Sequence, residues 1–197
     1  PSRALIQESI YDKFMDRALA RVRAIKQGSP LDTDSMMGAQ ASVEQMKKIE
    51  SYLSLGKEEG AQVLTGGKRA QLPGDLAGGY YIEPTIFRGH NKMRIFQEEI
   101  FGPVACVLRA DDYDHALALA NDTPFGLAGY FYSQNVKRIW RVADALETGI
   151  VGINEGAIAA EAAPFGGVKE SGYGREGSTH GLEDYLHTKY VCQGLLD

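Results

Sequence analysis

The chain has 197 residues and a net charge of −5, with 44% hydrophobic and 24% charged residues. That length and composition fit a globular protein with one sizeable core. The negative balance, without any Lys/Arg cluster, excludes a nucleic-acid partner; no apolar run reaches membrane-spanning length, and no signal-peptide pattern is present.

Pro1 is not a methionine and residues 3–7 read at once as a strand, so the chain is expected to begin inside a folded unit of a longer protein. Ile10, Phe14, Ala18, Val22 and Ile25 then recur at helical spacing, which predicts an amphipathic helix capped by Ser9 and ended by Gly28-Ser29-Pro30. Residues 31–39 read as a loop. A second helix follows with Val43, Met46, Ile49 and Leu53 on its inner stripe and Lys47, Lys48 and Glu50 outside, closed by Gly60. Residues 61–64 form a short strand, Gly66-Gly67 a turn, and residues 71–79 a Pro/Gly-rich loop. Residues 80–87 are strand-like, but Pro84 demotes them to an edge or a break.

The next stretch, Glu98-Glu99-Ile100-Phe101-Gly102-Pro103, is the most informative in the chain. If it is extended, alternation puts Glu99 and Phe101 on one face. That face then offers an acceptor-only carboxylate beside a flat ring, a pair suited to the hydroxyls of a ribose and to a planar base. The plainer alternative is an acidic strand end before a Gly-Pro turn.

Beyond it the alternation is regular. Residues 104–108 form a buried strand, Asp111 or Asp112 caps a helix through Ala116, Leu117 and Ala120, and residues 121–125 turn. Residues 127–132 form an aromatic strand. Asn135 caps a helix whose inner side holds Ile139, Trp140, Val142, Ala143 and Leu146; residues 149–153 form another strand. Strand–helix alternation with apolar strands implies an α/β fold with a largely parallel sheet covered by helices. Residues 155–163 read as an Ala-rich loop, residues 164–177 as a glycine-rich one, then a helix over 178–186 and a last strand over 188–192. Cys106 and Cys192 lie in apolar, strand-like surroundings and form neither a disulfide framework nor a zinc pattern. Buried reduced thiols and a cytoplasmic location are expected. His90, His115, His180 and His187 lack metal-ligand spacing, so no metal site is expected.

Gly172-Tyr173-Gly174-Arg175-Glu176-Gly177 matches the dinucleotide fingerprint G-x-G-x-x-G. It is rejected as one: the fingerprint needs a strand directly before it, a βαβ unit around it, and an acid about 20 residues on. Glycines that permit tight turns and close backbone approach are the better reading.

Three motifs taken together resemble the C-terminal half of NAD(P)-dependent aldehyde dehydrogenases. They are Glu99-Ile100-Phe101-Gly102-Pro103, Asn121-Asp122-Thr123-Pro124-Phe125-Gly126-Leu127-Ala128, and Pro164-Phe165-Gly166-Gly167-Val168-Lys169 with Ser171-Gly172-Tyr173-Gly174-Arg175-Glu176. The tail from Gly174 through Glu183-Asp184-Tyr185-Leu186 to Lys189-Tyr190-Val191-Cys192 further resembles the succinate-semialdehyde branch of that family.

The resemblance implies an aldehyde-dehydrogenase catalytic-domain fold over residues 1–186 and a C-terminal oligomerisation strand over 187–197, in a homo-oligomer. It implies oxidation of an aldehyde through a cysteine thioester, with NAD or NADP bound mainly by an upstream N-terminal cofactor domain. Glu99 corresponds to the carboxylate holding the nicotinamide ribose and Phe101 to the ring beside it. Phe165 corresponds to an aromatic lining the aldehyde tunnel, with core packing as the alternative. Glu176 corresponds to an acid of the active site, with a first-turn helix glutamate as the alternative. Ala159 stands where the succinate-semialdehyde branch has a serine that helps bind the distal carboxylate, which opens the substrate to other ω-oxo acids. Neither cysteine matches the nucleophile, which the resemblance places just before Pro1, so the chain alone is expected to be inactive. The alternative function is a non-catalytic oligomerisation or scaffolding module.

Overall fold

The computed structural model describes residues 2–195. Two compact units divide the chain after Leu119, whereas the sequence reading places its single boundary after residue 186.

The first unit is a four-stranded sheet covered on both faces. Strands β1 (Arg3–Gln7), β2 (Gln62–Thr65), β3 (Thr85–Arg88) and β4 (Val104–Ala110) are ordered β1-β4-β3-β2. The β1/β4 and β3/β4 pairs are parallel and the β2/β3 pair antiparallel, with Arg3 opposite Cys106 and Thr85 opposite Val104. Pro84 sits just before β3 and acts as a break, not an edge marker. The strand it precedes is interior, and its residues 85–87 are buried.

Alternation along the strands sorts two apolar clusters. Phe87, Cys106 and Leu108 pack with Met46, Ile49 and Leu53 of α2 (Val43–Glu58) and with Ile95 and Phe96 of α3 (Arg94–Gln97). Ile86 and Val107 face the other way, onto Tyr11 and Met15 of α1 (Tyr11–Arg23). The buried side of α1 therefore differs from the sequence expectation: Ile10 and Phe14 are 52% and 41% exposed. A 3₁₀ turn over Glu8–Ile10 precedes α1, so Ser9 lies inside that turn and caps nothing. The shifted start rotates the inner stripe by one residue, onto Tyr11 and Met15. On α2 the expectation holds for Met46, Ile49 and Leu53, which are buried, but not for Val43, which is exposed in the first turn; Ser42 Oγ accepts the Gln45 N–H as N-cap.

α4 (Tyr113–Asn121) is capped by Asp112, whose Oδ1 accepts the His115 N–H at 2.8 Å. The second unit pairs β5 (Phe125–Gly126) antiparallel with β8 (Val168–Lys169), and β6 (Ala128–Phe131) parallel with β7 (Ile150–Ile153). α5 (Val136–Ala145) is capped by Asn135, as expected. Its Trp140, assigned inward by periodicity, is 72% exposed. Residues 180–185 form a 3₁₀ helix, and residues 187–195 carry no helix or strand. The strand expected over 188–192 is thus not formed: no partner strand for it occurs among the described residues. Cys192 is exposed there, contrary to the expectation of a buried thiol. Residues 196–197 of the expected terminal segment lie outside the described residues.

No helix among the described residues is long and apolar enough to cross a membrane.

Candidate active-site residues

In the first unit, the chain leaves α3 and enters β4 through residues 98–103, which form no strand: Glu98 is extended but Phe101 is not. Phe101 has φ 54°, a left-handed conformation that costs a non-glycine residue on the order of 1–2 kcal/mol. Ile100 is buried at 5% exposure, while Glu99 and the Phe101 ring, at 72%, both face solvent. Helix α2 carries this turn. Gln45 Nε2 donates to the Phe101 and Ile100 carbonyls at 2.6 and 3.3 Å. Gly102 lies flush on Ile49, where a Cβ would fall 2.5 Å from Cδ1, so any larger residue would displace the Ile49 side chain.

The two adjacent glutamates have different fates. Glu98 accepts from Arg94 Nε at 2.7 Å and from Tyr52 Oη at 2.8 Å. The Arg94 guanidinium, then the Tyr52 hydroxyl, holds the Glu98 carboxyl below the usual carboxylate range, and the same bond pushes the Tyr52 phenol up. Among the described residues, the exposed Glu99 carboxylate has no hydrogen bond or ion pair. Glu98 is engaged by its two neighbours, whereas Glu99 stays open to solvent.

In the second unit, Phe165 and Glu176 face each other as a hydrogen-bonded antiparallel pair, each N–H donating to the other's carbonyl at 2.8 Å. Glu176 is therefore not a first-turn helix residue; the 3₁₀ helix starts at His180. The pair lines a surface depression of about 530 Å³ with Leu127, Arg175, Asp184 and Tyr185. Phe165 is 38% exposed, so core packing does not account for it. Arg175 Nη1 donates to the carbonyls of Gly167, Tyr173 and Gly174 at 2.7–2.9 Å, binding the glycine-rich loop to itself. Gly172 and Gly177 have φ of 90° and 68°, and no strand–helix unit surrounds them, in line with rejection of the dinucleotide fingerprint. Ala159 is exposed on the loop after β7 and is not part of the depression.

The motif residues knit this unit together. Asn121 donates to the Ala145 carbonyl and accepts the Glu147 N–H. Lys169 Nζ reaches the Asn121 and Thr123 carbonyls and pairs with Glu147. Gln45, Arg175 and Lys169 escape a search for chemistry because their work is on backbone carbonyls. The only sequence signal at Gln45 is its place three residues after a capping serine.

Cys106 is fully buried and its thiol donates to the Ile95 carbonyl; burial pushes it up to about 12. No group of three or more His, Cys, Asp or Glu able to hold a metal occurs among the described residues.

The family described as "Aldehyde dehydrogenase family" matches residues 1–191. The chain belongs to that family. It is 57% identical over 189 residues to acetaldehyde dehydrogenase 2 of Cupriavidus necator, covering 96% of this chain and 37% of that protein. It is 52% identical over 189 residues to fluoroacetaldehyde dehydrogenase of Streptantibioticus cattleyicolor, with the same coverage of 96% and 37%. A crystal structure of betaine aldehyde dehydrogenase from Staphylococcus aureus in complex with NAD+ matches with a TM-score of 0.93 at 44% identity, over 96% of this chain and 38% of that one. The chain thus spans well under half the length of the relatives it matches. The α/β fold with its helix-covered, mainly parallel sheet is that of an aldehyde dehydrogenase.

Proposed function

We propose that this chain supplies one wall of the active site of an NAD(P)-dependent aldehyde dehydrogenase, which oxidises an aldehyde to the carboxylic acid through a cysteine thioester. The observation that carries the reading is the unengaged Glu99 carboxylate beside the exposed Phe101 ring on one turn held by α2. Both residues fit a nicotinamide nucleotide: Glu99 accepts from the ribose hydroxyls and Phe101 packs beside them. When bound, the nicotinamide accepts the hydride that leaves the substrate carbon. In this reading Phe165 lines the path of the aldehyde, and Glu176, paired with it across the ladder, exchanges a proton with solvent. Cys106 is not the nucleophile, because a thiol pushed up to about 12 holds almost no thiolate at neutral pH. The exposed Cys192, in the irregular terminal segment, is not the nucleophile either; a residue upstream of Pro1 supplies it.

The relatives named for a single aldehyde support a small one. Ala159 points the same way, since it offers no hydroxyl to a distal carboxylate. The ω-oxo acids, succinate semialdehyde first, form the competing class, favoured by the terminal motifs. Residues 187–197 serve as the oligomerisation strand and 1–186 as the catalytic-domain portion. The exposure of Tyr190 and Val191, at 86% and 76%, supports pairing of this segment with a neighbouring subunit. Two cysteines without a disulfide fit a cytoplasmic setting.

The test is formation of reduced cofactor by the full-length enzyme with acetaldehyde or succinate semialdehyde and either NAD or NADP. Higher kcat/KM on acetaldehyde supports the small-aldehyde reading, and the reverse selects the ω-oxo acids. No reduced cofactor with any aldehyde overturns the function.

A further inference from the structure

The turn bearing Glu99 and Phe101 is shaped by one face of α2. Gln45, Ile49 and Tyr52 follow one another along that face and meet Phe101, Gly102 and Glu98 respectively. Ile49 acts by contact and Tyr52 through a side chain, but Gln45 binds the backbone of the strained residue itself. Its Nε2 takes two consecutive carbonyls, those of Ile100 and Phe101, at 3.3 and 2.6 Å. The backbone N–H of Gln45 is separately used in the α2 cap, accepted by Ser42 Oγ at 3.1 Å. Ser42-Val43-Glu44-Gln45 has the pattern of a capping box, in which the glutamine side chain would turn back to the Ser42 N–H. Only the forward half is found; the amide is directed to the turn instead.

We infer that Gln45 is a positioning residue for the nucleotide-facing turn: by donating to both carbonyls it holds Phe101 at positive φ, and so presents Glu99 and the Phe101 ring together on the outside of buried Ile100. This rests on the reading of Glu99 and Phe101 as nucleotide contacts. The role requires an N–H donor, not bulk. Released from Gln45, Phe101 relaxes to the negative φ that non-glycine residues prefer, and Glu99 moves with it.

The test uses Gln45→Leu and Gln45→Glu in the full-length enzyme. The second is nearly isosteric but offers carboxylate oxygens to two carbonyl oxygens, so it separates donation from packing; both leave the Ser42 cap intact. Three measurements are taken on each: a crystal structure, NAD(P)+ affinity by titration calorimetry, and the separate kinetic constants for cofactor and aldehyde. The expected result is that Phe101 leaves positive φ in both variants. Cofactor Kd and KM rise about tenfold, while the aldehyde KM and the thermal midpoint stay near wild type. Phe101 kept at positive φ in both variants, or Gln45→Glu behaving as wild type, overturns the inference. If the wild-type enzyme binds no NAD(P)+, the nucleotide reading fails, and the crystallographic comparison still decides whether Gln45 holds the turn.

Discussion

The two units of the chain solve the same problem with different interactions. In the first, a sheet buries Phe87, Ile82, Ile49 and Ile95 almost completely on one face and Ile86, Val107 and Tyr11 on the other. In the second, the only buried residues among those described are Gly126, Gly152 and Gly167. Several of its large apolar side chains, among them Val136 and Trp140 at 65% and 72%, lie open, and others are half-buried. What organises it is hydrogen bonding to backbone: Asn121, Lys169 and Arg175 each tie carbonyls of separate segments. Left-handed non-glycine residues occur in both units, Phe101 in the first and Asn154, Lys169 and Ser178 in the second, so a packed core is not what permits them. The second unit presents Phe165 and Glu176 as an isolated antiparallel bridge.

The largest effect expected follows from the proposal that the nucleophile lies outside both units. The 197-residue chain, mixed with an aldehyde and NAD or NADP, should form no reduced cofactor above buffer, since loss of the nucleophile in a covalent mechanism costs about 10⁴–10⁶ in rate. Turnover that disappears on mutating Cys106 or Cys192 would place the nucleophile inside one of these units.

Core truncation should then separate the units by stability. Phe87→Ala should destabilise by about 3–5 kcal/mol, because its ring is fully buried between α2, α3 and the sheet. Trp140→Ala in the same chain should change stability by less than about 0.5 kcal/mol. Urea unfolding of both variants measures the contrast; equal losses would mean that Trp140 is packed and that the difference between units is not one of burial.

Glu99→Gln in the full-length enzyme should weaken cofactor binding by about 1.5–3 kcal/mol through loss of a charge-assisted bond. Aldehyde KM should be unaffected. An unchanged cofactor KM and an unchanged hydride-transfer rate would remove Glu99 from the nucleotide site.

The smallest effect is a pH dependence at Glu98. Its folded carboxyl is depressed by Arg94 and Tyr52, so its contribution is complete above the unfolded value of about 4.3 and is lost as pH falls through the lower folded value. Glu98→Gln should therefore flatten the acid limb of the stability curve between about pH 5 and pH 3, read from thermal midpoints. The group is over a third exposed, so the change should be slight, and an acid limb identical to wild type would show that the Arg94–Glu98–Tyr52 cluster does not steady the turn.

Much of the framework was legible because it depends on local rules. The Asn135 cap, the Met46–Ile49–Leu53 stripe, the strand after Pro103 and the turn at Gly66-Gly67 follow from capping chemistry, period and glycine alone. The proposed site residues Glu99, Phe101, Phe165 and Glu176 come from motif resemblance, and the structure leaves all four open to solvent or to the surface depression. The side chains that hold them, Gln45 and Arg175, were not, because a polar side chain bonded to a distant carbonyl leaves no periodic trace.

By itself, then, the sequence determined the fold class, the main helices and strands of the first unit and the family, since these rest on side-chain alternation, capping residues and motif spacing. Only the tertiary structure decided which of two adjacent glutamates is spent on the scaffold, since both carry the same carboxylate and only the position of Arg94 and Tyr52 distinguishes them. It alone turned α1 onto Tyr11 and Met15, because a 3₁₀ turn shifts the helix phase without changing the apolar period. It alone left Trp140 outside, because periodicity names a face and burial requires something opposite to cover it. And it alone twisted Phe101 into a left-handed turn, where an exposed pair expected from an extended strand is reached by backbone strain that α2 holds in place.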